Sequence, residues 1–159
     1  MNNFSQSIEL LSYSLMSNHY HILIRQTEET TIDQFMNSIW TRYSMYFNRK
    51  YKRVGPLFQD VYKAVMVTTD EQLLHLTRYM HRNIIAKHHF RNLASKGDAL
   101  RSYVYSSYPD YIGMRKTEWV HPERILAFWN KNQQSSYEHF VVDWEYNETS
   151  AKIIAPVII

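Results

Sequence analysis

The stretch IELLSYSLMSNHYHILIR, residues 8–25, decides how this chain is read. Residues 8–15 and 20–25 are apolar and β-prone, and Ser17-Asn18 between them is a turn signal. An antiparallel hairpin is the simplest structure for such a pattern. His19 and His21 sit at the start of its second strand. Residues two apart on a strand project from one face. The two imidazoles would then stand side by side, placed to chelate one divalent cation. A strand end with two satisfied polar rings reads the same way, so a third group must come from elsewhere.

Outward from the hairpin, residues 31–48 (TIDQFMNSIWTRYSMYFN) predict a helix. Ile32, Phe35, Met36, Ile39 and Tyr43, continued by Tyr46 or Phe47, follow helical spacing, and Thr31 with Gln34 fits a capping box. Gly55-Pro56 marks a turn, and residues 61–67 read as a third strand. Thr69 and Gln72 fit a second capping box. They open a helix through DEQLLHLTRYMHRNIIAKHH, residues 70–89, with the apolar stripe Leu73, Leu76, Met80 and Ile84. His75, Tyr79 and Asn83 recur at i, i+4 and i+8, on a face roughly 120° from that stripe. Periodicity alone is equally satisfied by a solvent-facing tyrosine. Beyond Gly97, LRSYVYSSYPDYIG (residues 100–113) is turn-rich and aromatic, residues 122–130 predict a short helix, and the C-terminal end shows no clear period. The order strand, strand, helix, strand, helix implies an α+β fold, an antiparallel sheet with helices on one face.

With 159 residues, 45% of them apolar and 21% charged, the chain has the size and composition of one globular domain with at most a small appendage. The absence of cysteine excludes disulfides and thiolate metal sites, so any metal falls to His, Asp, Glu, Asn or Gln. No apolar run is long enough to span a membrane, and the first residues lack the layout of a secretory signal, so an intracellular soluble protein is expected. The formal charge of +3 does not by itself predict a nucleic-acid partner. Local pattern does more. Arg42, Arg49, Lys50, Lys52 and Arg53 interleave with Tyr43, Tyr46 and Tyr51. Cations of this kind track phosphates while rings stack on unpaired bases; a solvated helix end with snorkelling side chains is the alternative.

Four segments together resemble one family. LMSNHYHILI resembles the metal-binding strand of the HUH single-tyrosine transposases. RYSMYFNRKYKRVGPLFQDVYKAVMV is similar to the stretch that follows in the REP-associated tyrosine transposase branch. LLHLTRYMHRN resembles its catalytic tyrosine helix, and SYVYSSYPDYIG its aromatic C-terminal segment. The resemblance spans about residues 8–130. It implies a ferredoxin-like sheet that lacks its first strand and helix, in an N-terminally truncated chain. Residues 1–95 would be the catalytic domain and 96–159 a C-terminal aromatic extension. The lost strand would leave backbone unpaired at a sheet edge.

By the same resemblance His19 and His21 match the pair that binds Mg²⁺ or Mn²⁺, Tyr79 the nucleophile, and Asn83 a third polar metal ligand. Arg42, Tyr43, Arg49, Lys50, Lys52, Arg53 and Lys63 are the expected DNA contacts. Ile84 replaces the proline that the family has after this asparagine, and His75 and His81 match no family position, which leaves them as surface or packing residues. The implied activity is metal-dependent cleavage and joining of single-stranded DNA through a 5′-phosphotyrosine. Its substrates would be hairpins or repetitive palindromes in a bacterial cytoplasm. Relatives work as monomers or dimers, and these residues do not choose between them. A non-catalytic DNA-binding remnant is the runner-up, and a metal-dependent hydrolase with a water nucleophile the third reading.

Overall fold

The computed structural model describes residues 3–59, 61–87, 96–129 and 132–143. Two strands, β1 (Ile8–Leu15) and β2 (Tyr20–Gln26), form the antiparallel hairpin that the opening stretch predicts. The fold is α+β, compatible with the ferredoxin-like class: this sheet is joined by the helices α1 (Thr31–Tyr51), α2 (Asp70–Lys87), α3 (Lys96–Ser102), α4 (Tyr108–Tyr111), α5 (Glu123–Leu126) and α6 (Gln133–Val142). The described residues group into two compact units, one within Met1–Glu9 and Arg25–Ala64, the other within Leu10–Ile24 and Val65–Ile159. No helix among them is long and apolar enough to cross a membrane.

In the first unit, α1 begins and ends differently from its expected capping box. The N-cap is Thr30, in the left-handed region at φ 66°, and it makes no side-chain cap bond. Gln26 supplies the acceptor instead: its Oε1 takes the Ile32 N–H at 3.0 Å. The cap comes from the end of β2 because Thr31 is already inside the first turn. At the other end Lys52 adopts the left-handed region at φ 51° and donates its N–H to Asn48 O. The segment after it turns at Gly55, whose φ of 99° favours glycine. It then docks on α1 through Phe58 stacked on Trp40, ring centroids 5.5 Å apart, and through Tyr62, which meets Trp40 edge-on and donates to Asp33.

The expected third strand at residues 61–67 is absent: these residues form no regular structure, and Val61 and Met66 are 77% and 81% exposed. β-branched residues favour a strand only where a neighbouring strand pairs with them and their side chains find a packed face. Here, among the described residues, no strand pairs with them; Val67 packs on the Leu76 and Met80 cluster, but Val61 and Met66 have no packed face.

In the second unit, α2 is held by the apolar stripe read from the sequence. Leu76 and Met80 pack with Leu11 of β1 and Leu23 of β2, and Ile84 belongs to a second cluster with Leu100, Tyr108, Tyr111, Ile125, Leu126, Tyr137 and Val141. Each such side chain contributes about 1.5–3 kcal/mol on burial. Half of the second capping box forms as expected, Thr69 Oγ1 accepting the Gln72 N–H at 3.1 Å, while Gln72 Oε1 reaches one residue past the N-cap to accept the Thr68 N–H at 3.0 Å. Asp70 and Glu71 in the first turn complement the helix dipole. Isoleucine at 84, where a proline would break the ladder, lets the helix continue to Lys87 and places a fully buried side chain in the core. The expected continuation through His88 and His89 lies outside the described residues, as does Asn130; of the short helix predicted over 122–130 only Glu123–Leu126 forms, as α5.

The outer edge of β1 is covered, contrary to the expectation of an open one. Ser107 N–H donates to Tyr13 O at 3.0 Å, Leu15 N–H to Tyr105 O at 2.9 Å, and His121 N–H to Leu10 O at 2.9 Å; Ser14 and Ser106 form an antiparallel bridge. Tyr111 adds its hydroxyl to Leu11 O and Tyr103 its hydroxyl to Leu15 O. This strap, residues 103–121, is pinned by the buried Asp110, whose carboxylate accepts from Arg115 at 2.6 Å and from Thr117 N–H at 2.8 Å. Burial opposes ionisation of Asp110, yet the bonds from Arg115 and Thr117 outweigh it and hold its carboxyl below the usual range. α6 closes over the strap at Gly113, where a Cβ would come within 2.8 Å of the Gln134 side chain.

Candidate active site

His19 immediately precedes β2 and His21 lies in its first turn of pleat, so the backbone fixes both directions. Their rings lie 5.0 Å apart, centroid to centroid, in an edge-to-face arrangement. His21 and Leu23 share a strand face. Leu23 packs on Leu76 and Met80, and that contact brings His21 against the same helix. The His21 ring meets the Tyr79 ring edge-on at 5.8 Å, and its Nε2 accepts a hydrogen bond from Asn83 Nδ2 at 2.8 Å. Tyr79 and Asn83 are one helical turn apart, which is why one imidazole can touch both. All four residues expected at the site, His19, His21, Tyr79 and Asn83, therefore converge.

His75, which shares the i, i+4, i+8 spacing, goes elsewhere. It is half-buried against Phe140 of α6, ring centroids 6.1 Å apart, and its Nδ1 accepts from Arg78 at 2.5 Å. Burial, then the Arg78 charge, lowers its pKa. Arg78 in turn lies over the Phe140 ring at 4.4 Å.

A sequence profile described as "Transposase IS200 like" matches residues 3–83, just over half of the 159-residue chain. The chain belongs to the IS200-like transposase family. Comparison with curated proteins and with solved structures found no match. Membership supports a transposase function, with DNA as the partner. The four converging residues all fall inside the matched segment, whereas the strap and α3 to α6 fall outside it.

The transposase's donor set can be tested against a divalent cation. Among the described residues, no three His, Cys, Asp or Glu side chains converge. Two imidazoles and one amide do. His19 Nδ1 donates to Asn18 Oδ1 at 2.8 Å, which puts the ring proton on Nδ1 and leaves Nε2 as the ligating nitrogen of the neutral ring. His21 Nε2 presents its lone pair to Asn83, and a half-turn of that amide would present oxygen beside it. Two nitrogens and one amide oxygen fit part of the shell of Mg²⁺ or Mn²⁺, with the remaining positions open to water and phosphate oxygens. In the sequence Asn18 reads only as a turn residue. Its place beside a His-x-His pair was the available signal.

The transposase's first unit carries the expected DNA residues. Arg42, Tyr43, Arg49 and Lys50 are exposed on α1, Lys52 and Arg53 follow at its C-terminal end, and Lys63 is exposed on the irregular segment. Lys50 Nζ lies 5.5 Å from the centroids of both Tyr46 and Tyr51, and Arg53 lies over Phe47 at 5.8 Å. The basic side chains thus lie over the rings, and Tyr43, Tyr46 and Tyr51 stay about half exposed.

His81, which matches no family position and is expected only on the surface or in packing, is fully buried and at the centre of a polar network. Its Nδ1 lies 2.8 Å from Tyr137 Oη, and its Nε2 lies 2.8 Å from Ser107 Oγ and 3.1 Å from Ser12 Oγ. Burial pushes its pKa down to about 3, against a weaker opposing pull from Asp110. The unfolded chain protonates this ring near 6.5, whereas the native ring stays neutral. His81 therefore leaves stability intact above pH 6.5 and erodes it as pH falls from there toward 3. Between pH 7.5 and pH 5 its share of the loss is about 2 kcal/mol. Urea melts at the two pH values measure the loss, and His81→Phe should remove that share; an undiminished pH dependence in the variant would refute this assignment.

Proposed function

We propose that this transposase cleaves and rejoins single-stranded DNA through a covalent 5′-phosphotyrosine on Tyr79, with Mg²⁺ or Mn²⁺ held by His19, His21 and Asn83. The observation that carries the reading is the simultaneous contact of His21 with Tyr79 and Asn83. A tyrosine hydroxyl is a weak nucleophile near neutral pH, because its ordinary pKa is about 10. The cation, when bound, polarises the scissile phosphate and offsets the charge that develops on it.

Tyr79 Oη attacks the phosphorus and releases its proton to solvent. The Oη–P bond forms, the P–O3′ bond breaks, and the departing 3′ oxygen takes up a proton. One phosphoester replaces another, so the 3′-OH can later reverse the step and join strands without ATP. His19 is oriented for its part by Asn18, and the Asn83 amide, which donates to His21 Nε2, would give up that bond when it turns its oxygen to the cation. The resemblance to the REP-associated branch supports hairpin or repetitive palindromic DNA as the substrate. The test is a denaturing gel of the protein with labelled single-stranded palindromic oligonucleotides and Mn²⁺. A covalent band supports the reading; DNA retained on a native gel with no covalent band would favour a binding remnant.

The α1 face supplies the grip. Stacking of a base on an exposed ring is worth about 1–3 kcal/mol, so Tyr46→Ala should weaken single-strand binding roughly 5- to 150-fold. Lys50→Gln with Arg53→Gln should flatten the dependence of log K on log salt by about 1.4, at about 0.7 per phosphate contact on a single strand. Fluorescence anisotropy over a salt series measures both. Unchanged affinity and slope would remove this face from the DNA path.

A further inference from the structure

We infer that His81 is a positioning residue: it fixes the roll of the tyrosine helix, and through Ser107 and Tyr137 it makes that roll depend on segments outside the family match. The inference rests on the proposed role of Tyr79. In an α-helix, residue 81 lies about 200° around the axis from residue 79 and from residue 83. His81 thus sits on the back of the helix that presents Tyr79 and Asn83 on its front.

The apolar stripe holds α2 down, but hydrophobic contact is non-directional and leaves rotation about the axis weakly specified. Hydrogen bonds to a rigid ring are directional. His81 reaches three elements at once: Ser12 on β1, Ser107 on the strap and Tyr137 on α6. Ser12 and Ser107 are also joined to each other at 3.0 Å, and Ser107 Oγ accepts the Tyr13 N–H at 2.9 Å, so the anchor is tied to the backbone of the sheet. Edge contacts from Tyr108, Tyr111 and Tyr137, at 4.9 to 5.8 Å, wedge the ring in place. Buried polar networks of this kind specify one arrangement where apolar packing would tolerate several. Arg82 adds a second tie by donating to Val141 O at 2.5 Å and to Val142 O at 3.2 Å at the end of α6. The matched segment thus provides the chemistry, and residues 107 and 137 set the angle at which it is offered.

The test compares His81→Phe, which keeps a ring and drops both nitrogens, with His81→Gln, which keeps a donor and an acceptor. Tyr137→Phe removes one anchor alone, and Ile125→Val lowers stability in the same core without touching the network. Two quantities are read: the single-turnover rate of covalent adduct formation, and the ¹⁵N signals of the His21 imidazole in DNA-free protein. A misplacement of about 1 Å costs about 10²-fold in rate. His81→Phe should therefore slow the adduct by about that factor with DNA retention intact and the His21 Nε2 signal displaced, because the Asn83 contact has shifted. His81→Gln should recover part of the rate, Tyr137→Phe should show a smaller loss of the same pattern, and Ile125→Val should show neither change.

An unmoved His21 signal with a wild-type rate in His81→Phe overturns the inference, and so does an equal loss in Ile125→Val at matched melting temperature. If His81→Phe fails to fold, Tyr137→Phe decides by the same two readouts. A wild-type protein that forms no adduct would sink the Tyr79 reading, while the His21 signal would still decide the anchor.

Discussion

His19→Ala combined with His21→Ala is expected to abolish metal-dependent strand cleavage, by about 10³-fold or more. Lewis-acid stabilisation of a phosphoryl group is worth several kcal/mol, and each 1.36 kcal/mol is about a factor of ten in rate. Removing both rings leaves Asn83 as the last of the three proposed ligands, and one amide oxygen cannot hold Mg²⁺ or Mn²⁺ against water. The fold should survive, because neither ring is part of the two buried clusters that hold the second unit together. Retention of DNA should survive too, since the basic aromatic face lies on α1. Cleavage of a labelled oligonucleotide over a Mn²⁺ titration is the measurement. A double variant that cleaves at the wild-type rate would disprove the metal site.

Tyr79→Phe should lower the covalent adduct by about 10⁴-fold or more, the scale on which loss of a nucleophile acts. Phenylalanine keeps the ring that meets His21 edge-on at 5.8 Å and loses only the hydroxyl. A melting curve checks that the variant is folded, so that the loss read in the adduct is chemical. The chain has 13 tyrosines, so the experiment is discriminating. An adduct that persists undiminished would place the nucleophile on another of them.

The hairpin and the convergence of the candidate residues were legible in the sequence for a shared reason: both are written in short-range spacing. Two β-prone runs around Ser17-Asn18 leave one pairing, and Tyr79 with Asn83 four residues on needs only a helix to share a face. The formed half of the capping box at Thr69 and Gln72 was legible because its partners lie within one turn. Residues 61–67 misled because a strand is a property of a pair, and Val61 and Met66 face solvent. Thr31 and Gln34 misled because Gln26, from outside the helix, takes the cap.

α3 and α6 were hidden in a different way. Gly97 near the start of one and the polar opening of the other weaken the helical signal, while buried Leu100, Tyr137 and Val141 supply the stability through tertiary packing. His81 could not be read at all from its neighbours. Its partners stand at 12, 107 and 137, and only the folded chain brings them together.

The measurement that tests the central claim most directly is the site of the covalent link. The protein is incubated with single-stranded palindromic DNA and Mn²⁺, digested with nuclease and trypsin, and the peptides are sequenced by mass spectrometry. Trypsin cuts after Arg78 and Arg82, so the expected product is the peptide Tyr79-Met80-His81-Arg82 carrying a nucleotide through a 5′-phosphate on Tyr79. A nucleotide on any other residue, or cleaved DNA with no modified peptide, would contradict the account.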